Sequence, residues 1–431
     1  MPKVVAEKKE LQRPVKKKNN GYKKPKPFPK GEILADLNKC KWILGPSVGV
    51  GGFGEVYSAQ RESEKAAVPP YVIKIEPHQN GPLFVEMHFY LRVAKEEFIS
   101  EWLKKRKMSH LGVPRLHGQG SHEMGGEKYR FLVIDRFGRN LWSIFEENNR
   151  RFPTSTVFKI ALQIIDVLQY IHEKDYVHGD IKGTNLLLGL KKGTENRVYL
   201  VDYGLAGKYS TKEFKPDKKR AHNGTIEYTS RDAHLGVQTR RGDLEVLGYN
   251  LLHWIVSRLP WEGDLQDPVK VQKMKEDFMK NVPSSIKKLK SDVPVAIEQF
   301  LNYTKSLAHD EEPDYNHCRK LFKDGMKGCR DASGDKLLFK VGSDSLDAQV
   351  KSPPRKTSKK TPKRSTSPSE ESEVDEEVDM PQAKLRRKTP KKKVANGTAG
   401  APSWRDFPTI VAGRVARPGQ LRGNNADASS D

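Results

Sequence analysis

The sequence predicts an α+β chain of two lobes, a small β-rich lobe followed by a larger, mainly helical one. Between Trp42 and Ile75, short runs rich in β-branched and aromatic residues alternate with turns, a pattern typical of antiparallel strands. From Val157 to Ile171, apolar residues recur at helical spacing and predict a helix with one buried stripe. Leu244 to Val256 is largely apolar and predicts a buried helix in the second lobe.

The remaining elements fall between these three segments. Apolar residues at helical spacing predict a further helix over residues 83–94. Strands are predicted over residues 129–134 and 198–201, and a long polar stretch then runs to about Arg241. Lysine and proline crowd the residues before Ile33, so we expect order to begin near that position.

The chain is strongly basic. Its 431 residues carry a formal net charge of +23, which favours polyanionic partners such as nucleic acid or anionic lipid. Cys40, Cys318 and Cys329 are too few and too scattered for a disulfide framework or a zinc site, which fits a reducing compartment. The first 30 residues lack the apolar core of a signal peptide, and no stretch approaches the ~20 apolar residues of a membrane span. We therefore expect a soluble, intracellular protein without a membrane anchor.

Composition divides the chain into four parts. Residues 1–32 are predicted to be a basic disordered segment, 33–135 the smaller lobe, 136–342 the larger lobe, and 343–431 a disordered tail. The tail alternates basic, acidic and basic blocks without apolar periodicity. Its apolar residues around Trp404 to Val411 either form a short docking motif or have no specific role.

A glycine cluster between two predicted strands offers a backbone that can fold over phosphates and present N–H groups to them. A dinucleotide-binding turn is the obvious alternative, but such a turn should open a helix, whereas Glu55 to Ala59 alternates like a strand. The predicted phosphate-binding loop and the strand after it contribute Gly49, Val50, Gly51, Gly52, Phe53, Gly54 and Val56.

A lysine inside the third apolar strand also needs anionic partners. Lys74 follows Ile73 in this strand, where an unpaired ammonium would be costly. Nucleotide phosphates and Glu86, on the next predicted helix, would supply the negative charge. We therefore predict that Ile73, Lys74 and Glu86 belong to an ATP site.

The most specific pattern is His178 to Asn185, followed after a strand by Asp202. Asp180 can accept the proton of an attacking hydroxyl, and Lys182 can steady a transferring phosphoryl group. Asn185 and Asp202 offer the hard oxygen ligands that Mg²⁺ prefers, with Mn²⁺ as a possible substitute. His178 is predicted to be structural, because the acid–base role is already filled. Together with the loop and Lys74, these residues predict transfer of the ATP γ-phosphoryl group to a hydroxyl.

The chain resembles the eukaryotic protein kinases over about residues 33–330, and more narrowly the casein kinase I group. Within that group it is similar to the vaccinia-related kinases. The residues that carry this resemblance are Asn80 to Phe84, Asp135 to Gly138, Tyr176 to Lys182 and Tyr199 to Ala206.

The resemblance implies the bilobal protein kinase fold, serine/threonine specificity and an intact ATP site. It also implies nuclear, chromatin-associated localisation with the cytoplasm as a second compartment, substrates such as histones and the barrier-to-autointegration factor, and roles in cell division and nuclear envelope dynamics. We expect a monomer whose basic ends contact nucleosomes or DNA. The resemblance places the adenine-binding hinge at Ile134, Asp135, Arg136 and Phe137.

Three departures from the general kinase pattern affect mechanism. Gly179 stands where most kinases have the arginine that receives an activation-loop phosphate, so we predict activity without that phosphorylation. Tyr203 replaces a phenylalanine, and its hydroxyl could favour one loop position if it finds a partner. Asp232 is predicted to anchor the end of the activation segment. Arg231 is either solvated or faces an acidic substrate or a DNA phosphate.

Two further features are interpreted as scaffold around the site. Residues 224–228 lie where a kinase binds its substrate, and Asp243 begins the buried helix. A chromatin-binding scaffold without turnover is the main rival function, and a membrane-bound role for the basic ends is a second. The tails also have a simpler interpretation, in which their charge only keeps the chain soluble.

Overall fold

A computed structural model describes residues 23, 25–51, 54–209, 213–289, 291–340, 410–411 and 414–415. The predictions for Gly52 and Phe53 lie outside the described residues, as do those for residues 1–22 and for nearly all of the tail after residue 342. Of the tail, two short strands pair with each other.

The smaller lobe is a six-stranded antiparallel sheet in the order β1-β2-β3-β4-β6-β5. Two helices lie between β4 and β5 in the chain. The elements are β1 (Ile33–Ala35), β2 (Lys41–Val50), β3 (Glu55–Arg61), β4 (Tyr71–Pro77), α1 (Pro82–Val93), α2 (Glu96–Arg106), β5 (Leu116–Met124) and β6 (Glu127–Asp135).

Chain order begins earlier than the sequence indicated. Phe28 is buried, and its ring meets that of Tyr129 edge-on at 5.0 Å between centroids. The backbone N–H of Phe28 donates to the Tyr57 hydroxyl at 2.9 Å. The lysines and prolines around Phe28 make the stretch look too polar to be ordered. Burial of the Phe28 ring nevertheless stabilises the contact of this segment with the sheet.

The larger lobe is mainly helical and contains two short strand pairs, β7 with β10 and β8 with β9. Its elements are α3 (Leu141–Glu147), α4 (Thr154–Glu173), β7 (Tyr176–Val177), β8 (Leu186–Leu188), β9 (Val198–Leu200), β10 (Gly207–Lys208), α5 (Arg231–His234), α6 (Arg240–Val256), α7 (Pro268–Lys280), α8 (Val282–Lys287), α9 (Val295–Ser306) and α10 (Tyr315–Met326); the tail pair is β11 (Ile410–Val411) and β12 (Arg414–Val415).

The two predicted buried helices form the centre of the larger lobe. Every residue of α6 except Arg241 is buried, so α6 is a core element on all sides. Its N-terminus is capped by the Thr239 side chain, which accepts from the Gly242 N–H. The chain up to residue 340 packs along α4, where Lys159 Nζ donates to the backbone oxygens of Asp331 and Lys336 at 2.7 and 3.1 Å. Within the described residues, no helix has the length and apolarity to cross a bilayer.

Candidate active site

Lys74 joins three elements of the site. Its Nζ lies 2.6 Å from Glu86 Oε2 on α1 and 2.6 Å from Asp202 Oδ1 after β9. Burial favours the neutral amine, but the charges of Asp202 and Glu86 outweigh it and raise the Lys74 pKa above its usual value. Burial also favours the neutral acid at Asp202, yet the Lys74 charge lowers the pKa of Asp202 to about 2. The ammonium is therefore held charged and in a fixed place.

The sheet register identifies the side chains that share a face with Lys74. Val56 on β3 and Leu132 on β6 lie directly opposite Lys74, so they point to the same face. Ile73 points the other way, into the apolar cluster that contains Trp42, because successive side chains of a strand alternate. The assignment of Ile73 to the nucleotide site is therefore wrong. Val72 is the β4 neighbour on the same face as Lys74.

The glycine loop connects β2 and β3, and its described part contains a tight turn in which Gly51 N donates to Gly54 O at 2.9 Å. A strand follows the loop, so the dinucleotide-binding alternative does not hold. Gly54 is required by the sheet, since a Cβ there would lie 2.2 Å from the Ile75 carbonyl oxygen. By contrast, a Cβ at Gly49 would meet no atom within 4 Å, so packing does not explain that glycine.

The predicted hinge follows the last residues of β6. Ile134 pairs with Val72 and so lies on the face that carries Lys74. Asp135 accepts from His117 Nε2 at 2.9 Å, and although burial opposes it, this hydrogen bond lowers the Asp135 pKa. The Phe137 ring stacks on Tyr199 with 4.2 Å between centroids. Arg136 donates from its backbone N–H to the Pro70 oxygen at 3.0 Å.

Asp180 is surrounded by hydrogen-bond donors. Lys182 Nζ donates to Asp180 Oδ2 at 2.6 Å. Thr225 donates twice to Asp180 Oδ1, from its backbone N–H at 2.9 Å and from its hydroxyl at 2.8 Å. The Lys182 ammonium also donates to the Thr225 hydroxyl oxygen at 2.9 Å. Thr225 is therefore more than the scaffold that the sequence predicts, because its side chain contacts both catalytic candidates.

Asn185 and Asp202 fit a divalent cation. The Asn185 amide nitrogen donates to the Asp180 backbone oxygen at 2.9 Å, which leaves the amide oxygen to face a cation. Asp202 adopts a left-handed conformation with φ of 67° and keeps a third of its side chain exposed. An amide oxygen and a carboxylate are suitable ligands for Mg²⁺, which would neutralise charge on the nucleotide phosphates.

Asp243 fixes the loop that carries Asp180. Its carboxylate accepts from the backbone N–H of His178 at 2.7 Å and from that of Gly179 at 2.9 Å. His172 Nε2 donates to the same carboxylate at 3.0 Å. The sequence contained one signal for this role, because a carboxylate inside a fully buried helix must find donors. His178 uses both ring nitrogens, one on the Val201 carbonyl and one on the Asp180 N–H.

Gly179 occupies a backbone conformation that side chains rarely adopt. Its φ is +78°, and a Cβ there would lie 3.4 Å from Gln238 Nε2. Gln238 Nε2 donates to the Leu205 carbonyl at 2.8 Å, and Arg220 donates to Gln238 Oε1 at 3.2 Å. The neutral side chain of Gln238 thus connects Leu205, in the loop after Asp202, to Arg220, in the polar stretch that leads to Asp232.

Two interpretations of single residues need correction. Tyr203 stacks on Phe89 with 3.7 Å between ring centroids, but among the described residues its buried hydroxyl finds no hydrogen-bond partner. Its hydroxyl therefore does not hold the loop. Arg231 is an ion-paired side chain rather than a freely solvated one, because its Nε donates to Glu245 Oε2 at 3.0 Å and only 26% of the side chain is exposed. Its partner lies on α6, and the residues around Arg231 in the sequence do not indicate it.

Asp232 anchors the end of the activation segment. Arg241 Nε and Nη2 donate to its two carboxylate oxygens at 2.7 and 2.8 Å, a bidentate pair. The Thr239 hydroxyl donates to Asp232 Oδ2 at 2.6 Å. The segment is therefore fixed to the N-terminus of α6.

Residues 42–321 match the model of the protein kinase domain family. The chain is 48% identical to nucleosomal histone kinase 1 of Drosophila melanogaster, over 82% of this chain and 59% of that protein. It is 43% identical to the serine/threonine-protein kinase VRK2 of Homo sapiens, over 71% of this chain and 61% of that protein. The chain thus spans about three fifths of the length of these relatives.

Among solved structures, that of vaccinia related kinase 3 aligns with a TM-score of 0.63 at 27% identity, covering 70% of this chain and 92% of that one. The fold and the sequence similarities agree with the resemblance drawn from the motifs. The chain belongs to the protein kinase family and, within it, to the vaccinia-related kinases.

Proposed function

We propose that this chain is an active serine/threonine protein kinase that transfers the γ-phosphoryl group of ATP to chromatin-associated and other nuclear proteins. The observation that carries the proposal is the Asp180 carboxylate, held by Lys182 and Thr225 at 2.6 to 2.9 Å beside the Lys74 network. A scaffold without turnover would not need this arrangement, since three buried or half-buried charges are kept at fixed positions.

Each residue has a role in the proposed reaction. Asp180 orients the substrate hydroxyl and accepts its proton, and Lys182 neutralises charge that develops on the transferring group. Lys74, fixed by Glu86 and Asp202, aims at the α- and β-phosphates. Catalysis in this scheme is positioning and charge neutralisation, without a covalent enzyme intermediate.

The nucleotide is ATP with Mg²⁺, for which Mn²⁺ can substitute. Asn185 and Asp202 would hold the metal, and the loop residues Gly49, Val50 and Gly51 would cover the phosphates. Ile134 to Phe137 form the proposed hinge for the adenine. Val72 replaces Ile73 in this site, because it shares the face of Lys74.

Chromatin proteins are the proposed substrates. The relative from Drosophila is named a nucleosomal histone kinase, and this chain carries a net charge of +23 that suits partners rich in phosphate. Histones and the barrier-to-autointegration factor are the substrates that the family suggests, with roles in cell division and nuclear envelope dynamics. A monomer in the nucleus, with basic ends on nucleosomes or DNA, is the proposed setting.

A phosphotransfer assay on nucleosomes with ATP and Mg²⁺ tests the proposal. The wild type should phosphorylate histone, and Asp180→Asn should lower kcat by about 10²-fold or more while nucleotide binding persists. Asp175→Asn is the matched control, because this carboxylate is 68% exposed and takes no part in the site. A wild type without phosphotransfer to histone or any other nuclear protein would support the scaffold, and near-normal turnover of Asp180→Asn would contradict the role of Asp180.

A further inference from the structure

Lys275 is a fully buried lysine in the middle of α7. Its Nζ donates to the backbone oxygen of Ile226 at 2.7 Å and to that of Thr229 at 2.8 Å. It also lies 3.5 Å from His234 Nε2. A buried ammonium is costly without partners, and an ammonium has three donors, which matches these three acceptors.

The carbonyls that Lys275 holds belong to one short segment, residues 225–229. Between them, the Glu227 carbonyl accepts from Trp261 Nε1 at 2.7 Å. The segment closes on itself, since the backbone N–H groups of Tyr228 and Thr229 donate to the Thr225 oxygen at 2.8 and 2.9 Å. Lys275 and Trp261 therefore fix the backbone carbonyls of the segment. The N–H groups of Tyr228 and Thr229 fix the position of Thr225.

The first residue of this segment reaches the reacting groups. Thr225 contacts the Asp180 carboxylate twice and accepts from Lys182, as described above. A movement of the segment by a fraction of an ångström would lengthen these bonds, because hydrogen bonds weaken steeply with poor geometry. Lys275 itself touches neither Asp180 nor Lys182, and Thr225 is the residue of this segment that connects it to both.

The surroundings of Lys275 act on its charge in two opposite directions. The rings of Tyr249 and Trp261 lie 5.3 and 5.2 Å from its Nζ, within the range of cation–π attraction. Burial lowers the pKa of Lys275 to about 7, against the charges of Glu245 and Glu227, which raise it. The other titratable group beside it, His234, has its own pKa lowered to about 3 by burial and by the Lys275 charge.

We propose that Lys275 is a positioning residue, which fixes the substrate-facing segment 225–229 and, through Thr225, the Asp180 carboxylate. The inference rests on the phosphotransfer function proposed above. It adds that a residue of α7 helps to position the active-site groups. The competing role is that Lys275 only fills space in the core of the larger lobe.

Lys275→Met tests this, because methionine keeps an unbranched chain of similar volume and removes every donor. We expect kcat/KM for nucleosomal histone to fall about tenfold or more, mainly in kcat, with the KM for ATP unchanged. Val271→Ala is the control, since it destabilises α7 from a fully buried position with a side chain that can donate to no carbonyl. At matched loss of thermal stability, the control should keep its kcat/KM within about twofold.

Hydrogen exchange supplies a readout that does not depend on turnover. Amide exchange of Tyr228 and Thr229 should accelerate about tenfold or more in Lys275→Met and stay near the wild-type rate in Val271→Ala. If Lys275→Met does not fold, Trp261→Phe removes the donor to the Glu227 carbonyl together with part of a buried indole that packs on Tyr249 and Phe278, and the same two effects are expected at smaller size.

The outcomes separate the two proposals. An inactive wild type would refute the proposed function, and exchange at Tyr228 and Thr229 would still decide whether Lys275 fixes the segment. Equal losses of kcat in Lys275→Met and Val271→Ala, with unchanged exchange in both, would overturn the positioning role and leave Lys275 as a core residue.

Discussion

The Thr225 hydroxyl donates to Asp180 Oδ1 across 2.8 Å while its oxygen accepts from Lys182 at 2.9 Å. One side chain thus connects the proposed base to the proposed phosphate-binding cation. Thr225 lies in the segment after the activation loop, so the position of that segment and the orientation of Asp180 are coupled. We therefore expect substrate binding against this segment to change the hydrogen bonds at Asp180, the proposed base.

Removing the Thr225 hydroxyl should slow the chemical step. We expect Thr225→Ala to lower kcat about tenfold or more, because a hydrogen bond to a charged group contributes roughly 1.5 to 3 kcal/mol. Thr225→Ser keeps the hydroxyl and should stay within a few fold of the wild type in the same steady-state assay. Equal losses in the two variants would show that the methyl group, not the hydroxyl, matters.

Activity should not require a phosphate on the activation segment. Gln238 already connects the Leu205 carbonyl to Arg220, and Gly179 does not supply the arginine that receives a phosphate in most kinases. We expect phosphatase-treated enzyme to keep its kcat. Gln238→Ala should lower kcat several-fold, because a neutral hydrogen bond contributes about 1 kcal/mol. Gln272→Ala, which removes a bond within α7 only, is the control. Loss of activity on phosphatase treatment would contradict this mode of control.

Tyr203→Phe should leave the fold as stable as before or more stable. The Tyr203 hydroxyl is buried without a partner among the described residues, so its removal should raise the free energy of unfolding by up to about 1 kcal/mol. Tyr228→Phe is the matched comparison, because the Tyr228 hydroxyl is hydrogen-bonded to His253 Nδ1 at 2.8 Å. Its removal should lower the free energy of unfolding by about 1 kcal/mol. Urea unfolding of both variants measures the difference, and a destabilised Tyr203→Phe would reveal an unrecognised partner.

The sequence could predict a partner for a charged residue where the residues around it are apolar enough to imply burial. Lys74 and Glu86 were paired correctly, because a lysine in an apolar strand and a glutamate on the next helix need each other locally. The sequence did not predict the Glu245 partner of Arg231, because Arg231 lies in a polar stretch that gives no sign of burial.

The face to which a strand side chain points, and the side chains that donate hydrogen bonds, were harder to predict than the helices and strands themselves. Ile73 was assigned to the site by its place next to Lys74, although strand alternation turns it away. Lys275 gave no sequence signal, since a lysine on a helix is usually solvated, and Thr225 was indicated only as part of a segment interpreted as scaffold. Their importance follows from carbonyl and carboxylate acceptors that lie far away in the chain.

Nucleosome affinity should fall steeply with salt if the basic ends contact phosphates. Each neutralised phosphate adds to the slope, and a chain of charge +23 should lose affinity of about tenfold or more between about 50 and 200 mM salt. Deletion of residues 343–431 should reduce both the affinity and the slope in a binding titration. An unchanged slope would favour tails that serve only solubility.

Glu76 should make stability depend on pH near neutrality. Its carboxylate is buried at the end of β4, accepts from the Leu83 N–H at 3.0 Å and lies 3.5 Å from Arg130. Burial raises its pKa to about 7, whereas the Leu83 hydrogen bond and the charge of Arg130 oppose the shift. The folded state therefore binds this proton more tightly than the unfolded state does.

The sign of the effect follows directly. The contribution of Glu76 to stability is fully present below its unfolded pKa and is lost as the pH rises through about 7. Because one pKa unit corresponds to about 1.4 kcal/mol, the free energy of unfolding of the wild type should fall by roughly 2 kcal/mol relative to Glu76→Gln between about pH 5 and pH 8. Glutamine can still accept from Leu83, so the start of α1 stays capped. Glu123→Gln, at an exposed position of β5, is the control, and a pH-independent difference for Glu76→Gln would show that Glu76 is ionised throughout this range.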